Sequence, residues 1–376
     1  MEAVRPGPVE RPISIVHLIH GLELGGLEQL VTQLCVRSRD QGFAPSVVAL
    51  GPDGPMGAVF EHERIPVRRV EARGMSLAAL AGIRRALGDC GASLVHAHDL
   101  GPWLNAVAAR ALRPSTEVLA TFHEQKIPTG AKRKASALAA RLSFALVACG
   151  KQVENNLRHW VPSGTRVILI ENGVPLPPPP TEAQRRLARR QLGIPDDAVA
   201  IGYLGRLASI KGPDLLLEGF LDRFAGRGDV HLALIGCGPL EGELRERAAG
   251  RSNVHFAGLV TDATRLLAGL DIYAQTSRSE GRSLSMLEAM AAGLPTVAPS
   301  LDAVREVHED GETALLVRAV DRSSIGEALE RLCADPALRA RLGRKAGEVV
   351  RRHSLDGTVA AYVGLYRRIA GRAERA

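Results

Sequence analysis

The sequence predicts an α/β protein made of two doubly wound, parallel-sheet domains, and three observations lead to this prediction. Short apolar runs alternate with helical patterns through most of the 376 residues, as in parallel sheets covered by helices. The run GVPLPPPP, from Gly173 to Pro180, interrupts this alternation with four consecutive prolines, which fit neither a helix nor a central strand. The alternation then begins again, and 45% hydrophobic residues are enough to fill a core in each half.

The first half is expected to contain six strands, each a short apolar run. These strands are predicted at residues 14–19, 46–50, 94–98, 118–121, 146–149 and 167–170. Helical patterns lie between them at residues 27–39, 77–87 and 131–144.

The second half repeats this pattern. Strands are predicted at residues 199–204, 231–235, 254–256, 272–274, 296–298 and 314–317. Helices are predicted at residues 213–224, 240–249, 283–292 and 323–333, with an Arg-rich helical tail at 355–372. Ligands of such sheets bind at the carboxyl ends of the strands, so the loops that follow strands are the first places to look for functional residues.

The composition excludes several classes of protein. A formal net charge of +7 is small for this length, and 3% aromatic residues are too few for a module that stacks bases. The five cysteines are scattered without a C-x-x-C pair, which predicts free thiols rather than a zinc site or a disulfide framework. The N-terminus is broken by prolines, unlike a signal peptide, and no apolar run is long enough to span a bilayer. We therefore expect a cytoplasmic protein without a nucleic-acid partner.

Two glycines follow the first predicted strand, in the segment LELGGLEQL. Gly25 and Gly26 allow the backbone to come close to a ligand, and the helix that follows presents free N–H groups to an anion. An ordinary turn between a strand and a helix would have the same pattern, so the segment alone leaves both interpretations open.

Two cations follow the first strand of the second half, in the segment YLGRLASIKG. Arg206 comes directly after Gly205, and Lys211 lies five residues further on, before a helix. At the end of a strand such cations can bind a diphosphate, Arg through its planar fork and Lys as a point charge. Isolated charges more often belong to a solvated rim, but the strand–loop–helix context favours a function here.

The segment LIGCGPLEG matches part of a dinucleotide-binding fingerprint. Gly236 and Gly238 supply the first two glycines, but Glu241 occupies the third position, where close packing against a pyrophosphate needs a glycine. The segment is better explained as a tight turn into a helix, with Pro239 at the first helical position.

The segment SEGRSLSMLEAMAAGLPTVA places two carboxylates around the start of a helix. Glu280 precedes the helix, Ser283 is its predicted N-cap, and Glu288 lies on its second turn. The amides between the carboxylates form an anion-binding helix start, and carboxylates accept hydrogen bonds from hydroxyls. The segment therefore suits a sugar nucleotide, although a random pair of glutamates at this spacing would more often lie on the surface.

Together these motifs resemble glycosyltransferase family 4, whose two-domain fold is called GT-B. The resemblance covers nearly the whole chain and rests on these segments, in chain order: GGLEQL, VHAHD, TFHEQ, LIENGVP, GRLASIKG, LIGCGPLEGEL, NVHFAGLV, Glu280-x7-Glu288 and DGETALLV. It implies two Rossmann-like domains facing across a cleft, an acceptor-binding domain at 1–174 and a nucleotide-sugar-binding domain at 175–352. The terminal helix, at 353–376, would cross back to the N-terminal domain.

The resemblance also implies roles for single residues. Arg206 and Lys211 would hold the diphosphate of the donor, and Glu280 would bind the hydroxyls of the transferred sugar. Glu288 would bind the ribose, and His123 falls where the family has a histidine beside the reacting sugar. The other residues implied to contact the donor are Gly205, Gly281, Arg282, Ser283 and Leu284, with Gly25 and Gly26 from the opposite domain.

The sequence departs from the family pattern at two places. Gly281-Arg282-Ser283 stands where the family often has Gly-Phe-Gly, so Arg282 could add a phosphate contact or reach an anionic acceptor. Asp302-Ala303 stands where the family has a glycine pair, although Glu306 is retained. The first departure leaves the preferred donor open.

A metal site is not expected. His96 and His98 are two apart on a predicted strand and therefore share one face, but no third ligand with a suitable spacing follows them. Asp99 lies on the other face, and no strand ends in Asp-x-Asp.

The resemblance implies transfer of a sugar from a UDP-sugar or a GDP-sugar to an acceptor hydroxyl, with retention and without a metal or other cofactor. The acceptor would be a saccharide or lipid-linked, as in the synthesis of cell-surface polysaccharide or glycolipid. A nucleotide-sugar epimerase on the same scaffold is the alternative, and an NAD-dependent oxidoreductase is a weaker one.

Basic clusters suggest where a membrane could be contacted. Arg68–Arg69, Arg84–Arg85 and Lys132–Lys134 could attract an anionic membrane that carries a lipid-linked acceptor. Solvated helix faces carry the same charges, so a peripheral location at the inner face of the cell membrane stays an open expectation.

Overall fold

The structure is a computed structural model that describes residues 12–71, 74, 76–111, 113–123 and 127–373. The N-terminus up to residue 11, Glu124 and Gln125 of the TFHEQ segment, and residues 374–376 of the terminal segment lie outside the described residues. The described residues form two compact units. Unit 1 contains those of 1–149, 153–170 and 359–376, and unit 2 contains those of 150–152 and 171–358.

Unit 1 is built on a sheet of seven parallel strands in the order β3-β2-β1-β4-β5-β6-β7. The strands are β1 (Ile13–Ile19), β2 (Phe43–Ala49), β3 (Val67–Arg69), β4 (Leu94–His98), β5 (Glu117–Phe122), β6 (Ala145–Ala148) and β7 (Val167–Leu169). The helices are α1 (Gly26–Arg39), α2 (Met56–His62), α3 (Leu77–Asp89), α4 (Leu100–Arg110), α5 (Gly130–Leu142) and α6 (Lys151–Trp160).

Unit 2 is built on a sheet of six parallel strands in the order β10-β9-β8-β11-β12-β13. The strands are β8 (Val199–Leu204), β9 (Val230–Ile235), β10 (Val254–Gly258), β11 (Ile272–Ala274), β12 (Thr296–Pro299) and β13 (Ala314–Val317). The helices are α7 (Glu182–Leu192), α8 (Pro213–Phe224), α9 (Glu241–Arg247), α10 (Leu284–Ala291), α11 (Asp302–Arg305), α12 (Arg322–Ala334), α13 (Pro336–Val350) and α14 (Leu355–Ala373), and most of α14 belongs to unit 1.

The central strands are buried on both faces, as β1 illustrates. Val16 and Leu18 pack in a cluster with Trp103 of α4, whereas Ile19 packs in a different cluster with Val31 of α1. Successive side chains of a strand point to opposite faces, so each face of the sheet has its own core. This is why β1 appears in the sequence as an almost continuous apolar run.

The α/β fold class is confirmed, and each of the twelve predicted strands is present. The largest difference in bounds is at β2, which begins at Phe43 rather than at residue 46. Strand β3 was not predicted, because it has only three residues and two of them are the exposed Arg68 and Arg69. It lies at the edge of its sheet, where exposed charges are common.

The predicted helices are all present. The structure also contains helices that were not predicted, namely α2, α4, α6, α7, α11 and α13. Helix α7 has few apolar residues, so it lacks the stripe on which the prediction relied. Its ends carry clear signals all the same, since Thr181 and Gln184 form a capping box and Gly193 is a left-handed C-cap. None of the helices in the described part of the chain combines the length and apolar character that crossing a membrane requires.

The proline run is extended and exposed. Residues 175–180 belong to neither a helix nor a strand, and all of them are exposed to solvent. The chain passes from unit 1 to unit 2 a few residues earlier, between Ile170 and Glu171.

Gly212, which links a short 3-10 turn to α8, provides a test of how tightly two loops of unit 2 pack. Its φ is +65°, and a Cβ atom placed there would lie 2.0 Å from the carbonyl oxygen of Thr276. Gly226 has a similar φ of +81° but no atom within 4 Å of such a Cβ, so it is a matched control. We expect Gly226→Ala to lower the free energy of unfolding by about 1 kcal/mol, from backbone strain alone.

Gly212→Ala should cost at least about 2 kcal/mol more, because the loop must also move away from Thr276. Chemical denaturation of both variants measures the difference. Equal losses would contradict the close packing of the two loops.

Candidate active site

The strand order of unit 2 reverses between β8 and β11, which are neighbours in the sheet. Connections that leave such a pair of strands run to opposite faces, and the space between them is where ligands of doubly wound sheets bind. The loop after β8 begins at Gly205, and the loop after β11 begins at Gln275. The candidate site is therefore built from these two loops.

An ion pair connects the two loops. Nζ of Lys211 donates to both carboxylate oxygens of Glu280, at 2.8 and 2.9 Å. The side chain of Glu280 is only 4% exposed, whereas that of Lys211 is 36% exposed. The pair thus presents a partly exposed cation above a buried carboxylate, at the carboxyl edge of the sheet.

Two neutral side chains fix the Glu280 carboxylate further. Nε2 of Gln275 and Oγ of Ser277 donate to its Oε1, each at 2.6 Å. Gln275 in turn accepts hydrogen bonds from the buried Tyr273 hydroxyl at 3.0 Å and from Oγ of Ser283 at 3.1 Å. A buried carboxylate with this many donors is held in one orientation.

Gln275 and Ser277 were missed by the sequence analysis. The signal that could have revealed them is the polar run QTS, which directly follows a predicted strand. The structure shows that this run is almost entirely buried. Buried polar side chains need partners, so such a run at the end of a central strand indicates a hydrogen-bonded site.

Helix α10 brings two of the predicted residues to this edge. Ser283 is its N-cap, with Oγ accepting a hydrogen bond from the amide of Met286 at 3.3 Å. Glu288 lies one turn further along, where burial raises the pKa of its carboxyl group to about 7. A hydrogen bond from Thr264 lowers that pKa and the charge of Asp262 raises it, both to a smaller extent.

Gly205 and Arg206 begin the loop after β8, which is one of the two loops that form the candidate site. Arg206 is exposed, and its carbonyl accepts a hydrogen bond from the Tyr203 hydroxyl at 2.8 Å. A Cβ atom on Gly205 would lie 3.1 Å from the same hydroxyl. The glycine thus leaves room for the tyrosine that supports the loop carrying Arg206.

Arg282, by contrast, is enclosed within unit 2. Its side chain is 2% exposed and donates to the carbonyl oxygen of Asn172 at 3.0 Å and to Oε1 of Glu171 at 3.1 Å. A third contact, of 2.8 Å, joins it to Nδ1 of His353. These bonds would have to break before the guanidinium could reach a phosphate or an acceptor, so the geometry favours a structural role over the ligand contact expected for it.

The corresponding edge of unit 1 lies where β1 and β4 are neighbours and the strand order reverses. Gly25 is the N-cap of α1 and Gly26 its first residue, so the helix begins one residue before its predicted start at residue 27. The carboxyl group of Glu28 lies beside Gly25, since a Cβ atom there would be 2.6 Å from its Oε2. Burial raises the pKa of Glu28 to about 7, and the charges of Glu23 and Asp99 add to the effect.

His123 and Asp99 are joined at this edge. The amide of His123 donates to Oδ1 of Asp99 at 2.7 Å. Asp99 has a φ of +66°, which is strained for a residue other than glycine. Backbone strain that survives at the end of a central strand points to a functional position, and the sequence alone gave no sign of it.

No third ligand follows His96 and His98 in the sequence at a suitable spacing, but the fold supplies a third candidate ligand from another strand. His17 of β1 lies beside them, and the three rings place one nitrogen each within 4.8 Å of one another. The third histidine was missed because the search followed the chain, whereas His17 is brought in by the pairing of β1 with β4.

Two family models match the chain. Glycosyltransferase Family 4 matches residues 24–176, and Glycosyl transferases group 1 matches residues 198–335. The chain belongs to glycosyltransferase family 4. The two matches span most of unit 1 and of unit 2, so the family assignment covers both sheets.

Curated relatives agree with this family. The chain is 29% identical to a phosphatidyl-myo-inositol mannosyltransferase of Mycobacterium leprae over 361 residues, which are 92% of this chain and 94% of the relative. It is 30% identical to a D-inositol 3-phosphate glycosyltransferase of Corynebacterium urealyticum over 201 residues. That second match covers 50% of this chain and 47% of the relative, so the matching region spans about half the length of that relative.

A solved structure shows the same fold. HepE of Anabaena, in complex with UDP and glucose, superimposes with a TM-score of 0.82 at 18% identity, over 94% of this chain and 99% of that one. The fold of this family member is therefore GT-B, with two parallel sheets flanked by helices.

The glycines that suggested a dinucleotide site have a packing role in this family member. A Cβ atom on Gly236 would lie 2.1 Å from the carbonyl oxygen of Gly205, and one on Gly238 would lie 2.5 Å from that of Leu207. Both glycines are thus required for the loops after β8 and β9 to pack against each other. Neither of the two alternative functions is favoured by the family assignment.

Glu288 allows a test of the electrostatics of the site. Because its pKa is raised to about 7, ionising it in the folded protein opposes folding, and this cost grows as the pH rises from about 4.5 through 7. We expect Glu288→Gln to raise the free energy of unfolding at pH 8 by about 3 kcal/mol and to have much less effect at pH 5.

Denaturant titrations at both pH values measure this difference. Glu348→Gln, on the exposed side of α13, is the control and should have the same small effect at pH 5 and pH 8. A Glu288→Gln effect that does not depend on pH would contradict the raised pKa.

Proposed function

We propose that this protein transfers a sugar from a nucleoside diphosphate sugar to an acceptor hydroxyl, with retention and without a metal. The observation that carries the proposal is the Lys211–Glu280 ion pair, which lies where the strand order of unit 2 reverses. Family membership supports the same reaction class.

The chemistry of the reaction explains why a cation is needed at this point. Breaking the bond between the sugar and the diphosphate leaves negative charge on phosphate oxygens. The half-exposed Lys211, the exposed Arg206 and the free amides at the start of α10 could stabilise this charge without rearranging. Glu280 would orient Lys211 and accept hydrogen bonds from sugar hydroxyls.

Glu288 fits the ribose of the donor. A carboxylate accepts hydrogen bonds from two neighbouring hydroxyls, and α10 holds Glu288 one turn beyond the helix start that would receive the diphosphate. The donor would be a UDP-sugar or a GDP-sugar, and UDP is the nucleotide bound in HepE. No cofactor besides the donor is required by this scheme.

The acceptor would be a saccharide or a lipid-linked hydroxyl, in polysaccharide or glycolipid synthesis. The names of both reported relatives contain inositol, so an inositol phosphate and a phosphatidylinositol are the first acceptors to test. Retention and the absence of a metal requirement are part of this proposal and come from the family resemblance.

Helix α5 is the part of unit 1 that would contact an anionic membrane. Helix α5 begins with the exposed cations Lys132, Arg133 and Lys134. It also exposes Leu138 and Leu142, with 58% and 40% of their surfaces accessible. Exposed leucines beside basic residues suit the surface of an anionic bilayer, and the protein would then act as a peripheral enzyme of the cytoplasmic face.

Donor binding can be measured by thermal shift with a panel of UDP- and GDP-sugars. A donor at 100 times its Kd should stabilise the folded chain by about 2.7 kcal/mol, which raises the Tm by several degrees. We expect Lys211→Ala to lower the Tm of the free protein, because it leaves the buried Glu280 carboxylate without its cation. Lys211→Ala and Glu280→Gln should each abolish most of the donor-dependent rise above the variant's own Tm and lower turnover at least about 100-fold.

Lys345→Ala is the control, because Lys345 of α13 is exposed to a similar extent and forms an ion pair elsewhere in unit 2, with the more exposed carboxylate of Glu312. It should retain both donor binding and turnover. Near-normal turnover of Lys211→Ala would refute the site assignment. Conversion of the nucleotide sugar without an acceptor would indicate an epimerase, and an inverted anomeric centre in the product would refute retention.

Membrane contact can be tested by sedimentation with lipid vesicles. We expect the protein to pellet with vesicles containing phosphatidylglycerol and to remain in solution with phosphatidylcholine alone. Exchanging Lys132 and Lys134 for Glu should abolish pelleting, whereas exchanging Arg84 and Arg85 of α3 for Glu should have less effect. Equal pelleting with both vesicle types would refute the electrostatic contact.

A further inference from the structure

Three buried histidines share one face of the seven-stranded sheet in unit 1. His17 of β1 is the register partner of His96 of β4, and His98 lies two residues further along β4. Each of the three is at most 1% exposed. Tyr362 and Tyr366 of α14 pack beside them, so this face is closed off from solvent.

Two of these histidines form a chain that ends at His123. Nδ1 of His17 lies 3.1 Å from Nε2 of His98. Nδ1 of His98 lies 3.2 Å from Nε2 of His123. Both nitrogens of the His98 ring are therefore engaged, one toward the interior and the other toward the edge of the sheet.

His96 is in contact with this chain but is not part of it. Its ring centroid is 4.2 Å from that of His98, yet its nitrogens bond to the hydroxyls of Tyr366 and Thr121, each at 2.7 Å. A metal ion bound by the three histidines would have to displace one of these hydroxyls and one of the two contacts of the His98 ring. The hydrogen bonds thus favour a network of neutral rings over a metal site.

Neutral rings restrict where the protons can be. Burial lowers the pKa of His17 to about 3 and holds the pKa of His98 well below its ordinary value. A neutral imidazole has one N–H and one lone pair, so both contacts of His98 must run in the same direction. The protons point either from His17 toward His123 or from His123 toward His17.

The inner end of the chain distinguishes these two directions. Among the described residues, Nε2 of His17 is buried and has no hydrogen-bond partner. If the protons pointed inward, this nitrogen would carry an orphaned N–H; if they point outward, it carries only a lone pair. Orphaned buried N–H groups are the rarer of the two, so the outward direction is favoured.

We propose that His17 and His98 are positioning residues that hold the imidazole of His123 as the Nδ1–H tautomer, with its Nε2 accepting a hydrogen bond from His98. The bond from the His123 amide to Asp99 fixes the backbone of the same residue. Ring and backbone are then both oriented from the interior of unit 1.

The tautomer matters for function if His123 contacts the donor or acceptor sugar, and in this respect the inference rests on the proposed function. The Nδ1–H group would donate to a sugar oxygen, and a ring free to flip would present a lone pair for part of the time. The consequence would fall on turnover more than on substrate binding.

Ring-nitrogen NMR of the full chain, labelled with 15N-histidine, tests the tautomer without any substrate. We expect His17, His98 and His123 each to be neutral at pH 7 with the proton on Nδ1. An Nε2–H tautomer for His123 would overturn the inference. So would one equivalent of a tightly bound transition metal that is lost on changing His17, since that would make the cluster a metal site.

Variants test whether His98 is the cause. His98→Phe keeps an aromatic ring but removes the N–H that donates to Nε2 of His123. The His123 ring should then become a mixture of tautomers. His98→Asn retains a donor near the position of Nδ1 and should restore the single tautomer. His96→Phe removes an equally buried histidine that is not hydrogen-bonded to His17, His98 or His123. It should leave the tautomer of His123 unchanged.

With a working glycosyl-transfer assay, His98→Phe should lower kcat about 10-fold or more with KM changed less than about twofold, and His98→Asn should recover most of the loss. Equal losses for His98→Phe and His96→Phe would reduce His98 to a structural residue and overturn the inference. Failure to find any glycosyl transfer, with the expected tautomers present, would refute the proposed function and leave the positioning of His123 intact.

Discussion

The ion pair between Lys211 and Glu280 is the interaction on which the site in unit 2 depends. A carboxylate that is 4% exposed needs a partner, and Lys211 supplies it from the loop after the neighbouring strand. The two loops must therefore approach closely. The position of Gly212, where a Cβ atom would meet the carbonyl oxygen of Thr276, is a direct consequence of this approach.

The same constraint reaches α10 through neutral hydrogen bonds. Gln275 donates to Glu280 and accepts from Ser283, the N-cap of the helix. The carboxylate, the helix start and the cation are thus held as one unit before any ligand arrives. Preorganisation of this kind is what a reaction with a charged leaving group requires, because polar groups that are already oriented need not rearrange.

The edge of unit 1 is organised in a different way. The Asp99 carboxylate accepts a hydrogen bond from the amide of His123, and its charge contributes to the raised pKa of Glu28. A chain of buried histidines supports the His123 ring from behind. A phosphate would be repelled by the carboxylate of Asp99, and by Glu28 when the pH is high enough to ionise it, whereas sugar hydroxyls could hydrogen-bond to both side chains. The charges of this edge therefore favour the sugar over the phosphate, the two parts of the donor that Gly25 and Gly26 could contact.

The fold could be predicted because most strands are short apolar runs, and the exceptions have physical causes. Strand β3 is stabilised by its neighbour rather than by its own sequence, and α7 has caps but little apolar stripe. Lys211 and Glu280 could be selected because they lie in loops that follow strands, and Glu288 because it lies on the helix that begins after Glu280. The partners of Arg282 and the place of His17 could not, since both depend on residues brought together by tertiary contacts and strand register.

A crystal structure of the chain with a bound nucleoside diphosphate tests the central claim most directly. The account predicts diphosphate oxygens within hydrogen-bond distance of Lys211 Nζ and Arg206, and ribose hydroxyls on the carboxylate of Glu288. A nucleotide bound away from the edge where β8 and β11 meet, with no phosphate oxygen in contact with Lys211, would contradict it.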